Sequence, residues 1–297
     1  MSSWPPITEP LLLERLAMSP DEYLAYLATV TRTVPRRAYE AALYERGLGY
    51  PWERPESSYL MRGEVVEPVA DMDPARRAAV LARFAVAEGE GARFPLLAYG
   101  ANGAPETLVM KFGHFAPEDR EVLVLAGALH DFDVGASAHP TFYGALPATI
   151  FPSPGTAMRC AVLWVSAVQV VQLAWSELSY LLGRLDGVRF DADDAGAGLG
   201  SVIAFVSRFG AFSPAGEPVA LAAVPAEHRR ATAMTQAELL GAAARLALGD
   251  GATSEDLARA LFADYHAFAW RHGHAIRRAT TRFASDRWVT FPGGVDP

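Results

Sequence analysis

Residues 134–158 read VGASAHPTFYGALPATIFPSPGTAM, 25 residues without a Lys, Arg, Asp or Glu. Three glycines and four prolines punctuate the run, and apolar pieces such as ALPATIF between these breakers have the length of strands. A stretch this poor in charge predicts buried or cavity-lining strands joined by tight turns. Its neighbours extend the pattern. FPLLAYG (94–100) and EVLVLAGALHDFDV (121–134) read as strands upstream, CAVLWV (160–165) reads as one downstream, and SVIAFVSRFG (201–210) reads as a further short strand or helix. The central part therefore predicts a mixed, strongly curved sheet.

Outside it the texture changes. PDEYLAYLATVTRTV (20–34) and RRAYEAALYERGL (36–48) carry apolar residues at mixed spacings of three and four, interrupted at Pro35, and GYPWERPESSY (49–59) breaks the pattern. PARRAAVLARFAVAEG (74–89) starts with Pro74 in its first turn and ends at glycine. DADDAGAGLG (191–200) reads as an acidic flexible loop. Near the C-terminus, Thr235 with Glu238 forms a capping box before LLGAAARLAL, and Thr253 or Ser254 can cap EDLARALFADYHAFAWRHGHAIRRA. The partition expected is a mainly helical extension over 1–90, a sheet core over 91–210 and a mainly helical extension over 211–297.

Composition bounds the function classes. A net charge of -8 disfavours phosphate-dominated attachment to nucleic acid or to an anionic membrane. The single cysteine, Cys160, can form no internal disulfide, and MSSWPPITEP lacks the basic and apolar regions of a secretory signal, so a cytoplasmic location is expected. The apolar segment 161–176, AVLWVSAVQVVQLAWS, is shorter than the roughly 20 residues of a spanning helix and contains Ser166, Gln169 and Gln172. His114, His130, His139, His272 and His274 fit no HExxH pattern, and the serines no G-x-S-x-G pattern; neither a metal nor another cofactor is implied.

Two features carry chemistry. AYGANGAPETL (98–108) places Gly100, Ala101, Asn102 and Gly103 after a strand, a loop able to point successive backbone N–H groups into one space, or an ordinary glycine turn. Ser166 and Gln169 form a capping box, and Val170, Leu173, Glu177 and Tyr180 follow at spacings of three, four and three. That spacing predicts Glu177 on an apolar helix face, suited to proton exchange unless a neighbouring cation offsets its desolvation. The structural alternative is a carboxylate paired with Arg184 or capping backbone N–H groups.

YGAN at 99–102, the later ALPATIFPSPG, the strand CAVLWV and the segment ending in SELSY resemble, in order and approximate spacing over 94–180, the gamma-glutamylcyclotransferase-like family. The resemblance implies an α+β fold, a mixed curved sheet or small barrel-like core with N- and C-terminal helical extensions. It also implies an acyltransferase or lyase reaction in which the α-amine of a γ-glutamyl amine, amino acid or peptide attacks its own γ-carbonyl, giving 5-oxoproline and the released amine. On this chain Glu177 would be the proton shuttle, residues Gly100, Ala101 and Asn102 would hold the γ-glutamyl group, and Tyr99, Tyr143 and Tyr180 would line the cavity. Arg159 and Arg184 are candidates for a substrate carboxylate or for structural pairs. Ala101 stands where the family usually has serine, and Gly103 where it usually has an apolar residue. The alternative reading is a non-catalytic binding or assembly protein that retains the fold, with the helical extensions as surfaces for a second copy or a protein partner.

Overall fold

A computed structural model of the chain describes residues 4–86, 89, 91–194 and 198–297. Seven main strands, β1 (Tyr59–Arg62), β2 (Val65–Pro68), β3 (Phe94–Ala98), β4 (Glu121–Ala136), β5 (Ala148–Val165), β6 (Tyr180–Ala192) and β7 (Leu199–Ser207), form one sheet. Within it the strands close on themselves: β5 pairs with β3, β3 with β7, β7 with β6, β6 with β4, and β4 again with β5. All contacts in this ring are antiparallel except β3 with β7, held at Leu96↔Ile203. Closure removes free edges from these five strands and explains the curvature. The fold is thus α+β, with a barrel-like core flanked by helices toward both termini.

Both faces of the sheet are apolar because both are covered. In β7, Val202, Ala204 and Val206 point into one cluster while Ile203 and Phe205 point into the other, the period of two expected of a strand. The first face packs on α2 (Pro20–Val30) through Tyr23 and on the C-terminal helices. The second packs on α1 (Pro10–Leu16), and on α5 (Pro105–Phe112) and α6 (Ala167–Ser176), which follow α3 (Ala41–Leu48) and α4 (Pro74–Phe84) in the chain. No helix among the described residues is long and apolar enough to cross a membrane.

Several local expectations change. The last four residues of ALPATIF and the whole of CAVLWV are not separate strands joined at PSPG but the two ends of β5, which runs for 18 residues. The Pro154–Gly155 pair sits at a bulge instead: Gly155 (φ +84) donates its amide to Asp131 Oδ1 at 3.0 Å, opposite the register shift between His130 and Phe132. β1 and β2 form a hairpin within the N-terminal 90 residues, turned by Gly63 (φ +60), and β1 pairs with β4. The helix from Pro74 ends at Phe84, short of Gly89. The acidic loop's residues 195–197 lie outside the described residues, while Asp191 and Ala192 belong to β6.

The C-terminal capping boxes at Thr235 and Thr253 open α7 (Gln236–Leu248) and α8 (Ser254–Ala263). The apolar run beyond them divides into three helices rather than one. Asp264 (φ -163) leaves helical geometry and caps Ala267 N, starting α9 (Tyr265–Arg271), and His272 separates that helix from α10 (Gly273–Arg278).

Candidate functional site

Topology brings the two chemistry-bearing segments together. β3 and β7 run parallel, so their C-terminal ends lie side by side. β6 runs against β7 with Tyr180 opposite Ser207, so its start lies at that same end. The loop leaving β3 and the turn entering β6 therefore meet. They face a cavity of about 510 Å³, within the usual range for small-ligand sites, whose wall includes Tyr99, Gly100, Ala101, Asn102, Glu177 and Tyr180, together with Tyr143 from the loop joining β4 to β5.

Glu177 is not on the helix face expected from the spacing. The Ser166–Gln169 capping box opens α6 as anticipated, but the helix stops at Ser176; Glu177 (φ -117, ψ 31) is its C-cap, and Tyr180 begins β6. Leaving the helix turns the carboxylate toward the loop after β3. There Glu177 Oε1 accepts hydrogen bonds from Asn102 Nδ2 at 3.1 Å and from Lys111 Nζ at 2.7 Å, and Lys111 Nζ also donates to Asn102 Oδ1 at 2.7 Å. Side-chain exposures of 11% for Lys111 and 18% for Glu177 make this a largely desolvated pair, so the contact is stronger than a surface ion pair. Both hydrogen bonds to the Glu177 carboxylate fall on Oε1, and among the described residues none is found at Oε2. Lys111 has likewise committed two of its three N–H groups.

Arg184, one structural alternative for pairing Glu177, forms an ion pair with Asp186, Nε to Oδ1 at 2.7 Å. Arg159 pairs with Asp193 and lines a second cavity of about 550 Å³ that also contains Arg54 and Cys160. Neither arginine lines the cavity of Glu177. Burial pushes the Cys160 thiol up to about 12, which suits a packed thiol.

The loop is held from two sides. Gly100 is required sterically, since a Cβ there would lie 2.8 Å from Tyr50 Oη and 3.1 Å from Ala148 Cβ. Tyr50 Oη accepts the Ala148 amide at 2.9 Å, and Arg54 Nη1 donates to the Tyr99 carbonyl at 3.0 Å. The chain then makes a 3-10 turn over Ala101–Gly103 and enters α5, the helix that delivers Lys111.

The tyrosines wall the cavity as neutral rings. Burial raises Tyr50 to about 12 and moves Tyr99, Tyr143 and Tyr180 upward as well, with the Glu177 charge adding in the same direction. Tyr99 donates its hydroxyl to the Phe205 carbonyl, and Tyr180 donates to the Ala148 carbonyl at 2.8 Å. Those two phenols are committed to the scaffold and offer the cavity their ring faces. His139, also in the wall, is buried; desolvation first, then the Arg277 charge, lowers it to about 3, so it is neutral at ordinary pH.

Sequence reasoning missed Lys111 and Tyr50. A signal for Lys111 was present: it is the only lysine in the chain, every other residue among the 26 basic ones being arginine. Tyr50 sits in the proline-broken segment after α3, where no periodicity marks it. Among the described residues no group of three or more His, Cys, Asp or Glu side chains could hold a metal ion.

No family model matches the sequence, and no curated protein matches it. Among solved structures, one described as a gamma-glutamyl cyclotransferase matches with a TM-score of 0.29 and 19% identity, covering 39% of this chain and 66% of that chain.

Proposed function

We propose that the chain catalyses metal-independent intramolecular cyclisation of a small γ-glutamyl amine, amino acid or peptide to 5-oxoproline. One observation carries the reading: Glu177 shares a cavity with the glycine loop at 100–102, its Oε1 is anchored by Asn102 and Lys111, and among the described residues no hydrogen bond is found at Oε2. The ordered YGAN, ALPATIFPSPG, CAVLWV and SELSY segments support it from the sequence.

In this mechanism the substrate's neutral α-amine attacks its own γ-carbonyl carbon, forming the ring C–N bond. Glu177 Oε2 takes the proton from the attacking nitrogen and returns one to the leaving nitrogen as the original amide C–N bond breaks. Because nucleophile and electrophile belong to one molecule, the site has mainly to select a folded conformer and to stabilise the oxyanion. Backbone amides of the 100–102 loop are the donors this reading assigns to that charge. Anchoring Oε1 fixes the carboxylate's orientation, so proton exchange at Oε2 needs no reorganisation of the base.

A second reading, ligand binding without turnover, draws on the same contact, since a lysine 2.7 Å from the carboxylate also suits a fixed recognition element. The experiment incubates purified protein with a panel of γ-glutamyl compounds and follows 5-oxoproline and released amine by mass spectrometry. Glu177→Gln is expected to lower turnover at least about 100-fold, the usual scale of general acid–base catalysis, with the melting temperature nearly retained. Unchanged turnover in that variant would remove Glu177 from the mechanism, and saturable binding with no product from any compound would favour the second reading.

A further inference from the structure

The cavity is chemically lopsided. Its only ionised wall residues among those described are Lys111 and Glu177, and these are paired with each other. No arginine lines it, although arginine is the chain's dominant cation. Much of the remaining wall is apolar and comes from elements outside the barrel: Leu27, Val30 and Val34 from α2 and the turn after it, Phe142 from the β4–β5 loop, and Tyr265 from α9. Met110, one residue before Lys111, completes that wall. Met110 is 69% exposed and Phe142 is 53% exposed, so both stand at the cavity's rim, where a ligand's far end would cover them.

We infer that the leaving half of the substrate is an uncharged apolar or aromatic amine, and that the two helical extensions supply the surface selecting it. The inference rests on the cyclisation reading for the identity of the γ-glutamyl half. Lys111 is the one wall cation able to meet that half's α-carboxylate. A second carboxylate, such as that of an amino acid or peptide leaving group, would lose water in a region whose wall supplies no cation, since Arg277 lies in the adjoining cavity behind His139 and Tyr265. An aryl or alkyl amine meets Leu27, Val30, Val34, Met110 and Phe142, side chains that gain by being covered. His139, the wall's imidazole, is held neutral and adds no charge for a carboxylate to use.

The test uses a matched pair, γ-glutamyl-phenethylamine and γ-glutamyl-phenylalanine, which differ by one carboxylate. Binding of each to the intact Glu177→Gln protein is measured by calorimetry, and kcat/KM of each is measured on the natural chain. The neutral conjugate is expected to bind at least tenfold tighter. Met110→Arg, a rim substitution on an exposed side chain, should narrow or reverse the preference by giving the carboxylate a partner, and Val34→Arg provides the same addition from the turn after α2. Equal binding of the two conjugates, or tighter binding of the phenylalanine conjugate by the unaltered wall, overturns the inference. Its failure is separable from that of the cyclisation reading: 5-oxoproline formed without discrimination sinks the inference alone, whereas discrimination in binding without 5-oxoproline sinks the cyclisation alone.

Discussion

His139 makes the stability of the fold a function of pH in a way that can be isolated. The imidazole is 9% exposed, its Nδ1 lies 2.7 Å from Ser137 Oγ, and its ring packs on Phe209 with centroids 4.6 Å apart. Burial, aided by Arg277, lowers it from 6.5 to about 3. Above pH ~6.5 the group is neutral in both folded and unfolded chains and contributes no pH dependence. As pH falls below that value the unfolded chain takes up a proton that the folded chain refuses, so stability is lost, and the loss stops only once pH passes the folded value near 3.

The loss grows by about 1.4 kcal/mol per pH unit, giving about 3 kcal/mol between pH ~7 and pH ~4.5. That magnitude depends on the unfolded value alone as long as the folded one stays about a unit below the lower pH. His139→Gln keeps a hydrogen-bonding group beside Ser137 and removes the titration. Urea unfolding of both proteins at the two pH values should show the natural chain losing about 3 kcal/mol more than the variant. Carboxylates titrate in both and cancel in the comparison. Parallel losses, within about 0.5 kcal/mol, would mean that the folded imidazole protonates normally and that the cavity wall carries a charge in mild acid.

Two further outcomes test the packing around the site. Gly100→Ala places a methyl 2.8 Å from Tyr50 Oη and should destabilise by about 1–3 kcal/mol in chemical denaturation, and Tyr50→Phe in the same chain should recover part of the loss by removing the clashing oxygen. Arg229→Met strands the fully buried Asp133 carboxylate, to which Arg229 donates twice at 2.8 Å, and should cost about 3–5 kcal/mol in the same measurement, with no effect if water reaches Asp133.

How much of this was legible depended on whether the signal was local. The capping boxes at Ser166 and Thr235 were readable because each involves residues three apart and a hydrogen bond each way, whereas Thr253 and Ser254 were equal candidates for the next cap until the structure put it at Thr253 with Asp256. Strands β3 and β4 announced themselves as apolar runs, while the run of β7 suited a short strand or a helix equally until its pairing with β3 and β6 decided it. β5 did not appear whole, because Pro152, Pro154 and Gly155 look like a turn; the bulge that admits them is completed by Asp131 on the opposite strand. The hairpin of β1 and β2 has only four residues per strand and gains its place by pairing with β4. Glu177 was identifiable as a carboxylate in an apolar setting, but its escape from the helix at Ser176 was not visible in the spacing. Lys111 was hidden for another reason: α5 carries it, and only the meeting of barrel ends sets it against Glu177.

The solitary lysine also has a consequence for observation. A chain with one ε-amine concentrates all of its lysine chemistry in the wall of one cavity, against one carboxylate. Reductive methylation with isotope-labelled formaldehyde would place a single ε-dimethyl reporter in the fold, and its resonance would register the state of Glu177 and any molecule seated beside it, without assignment of the other residues.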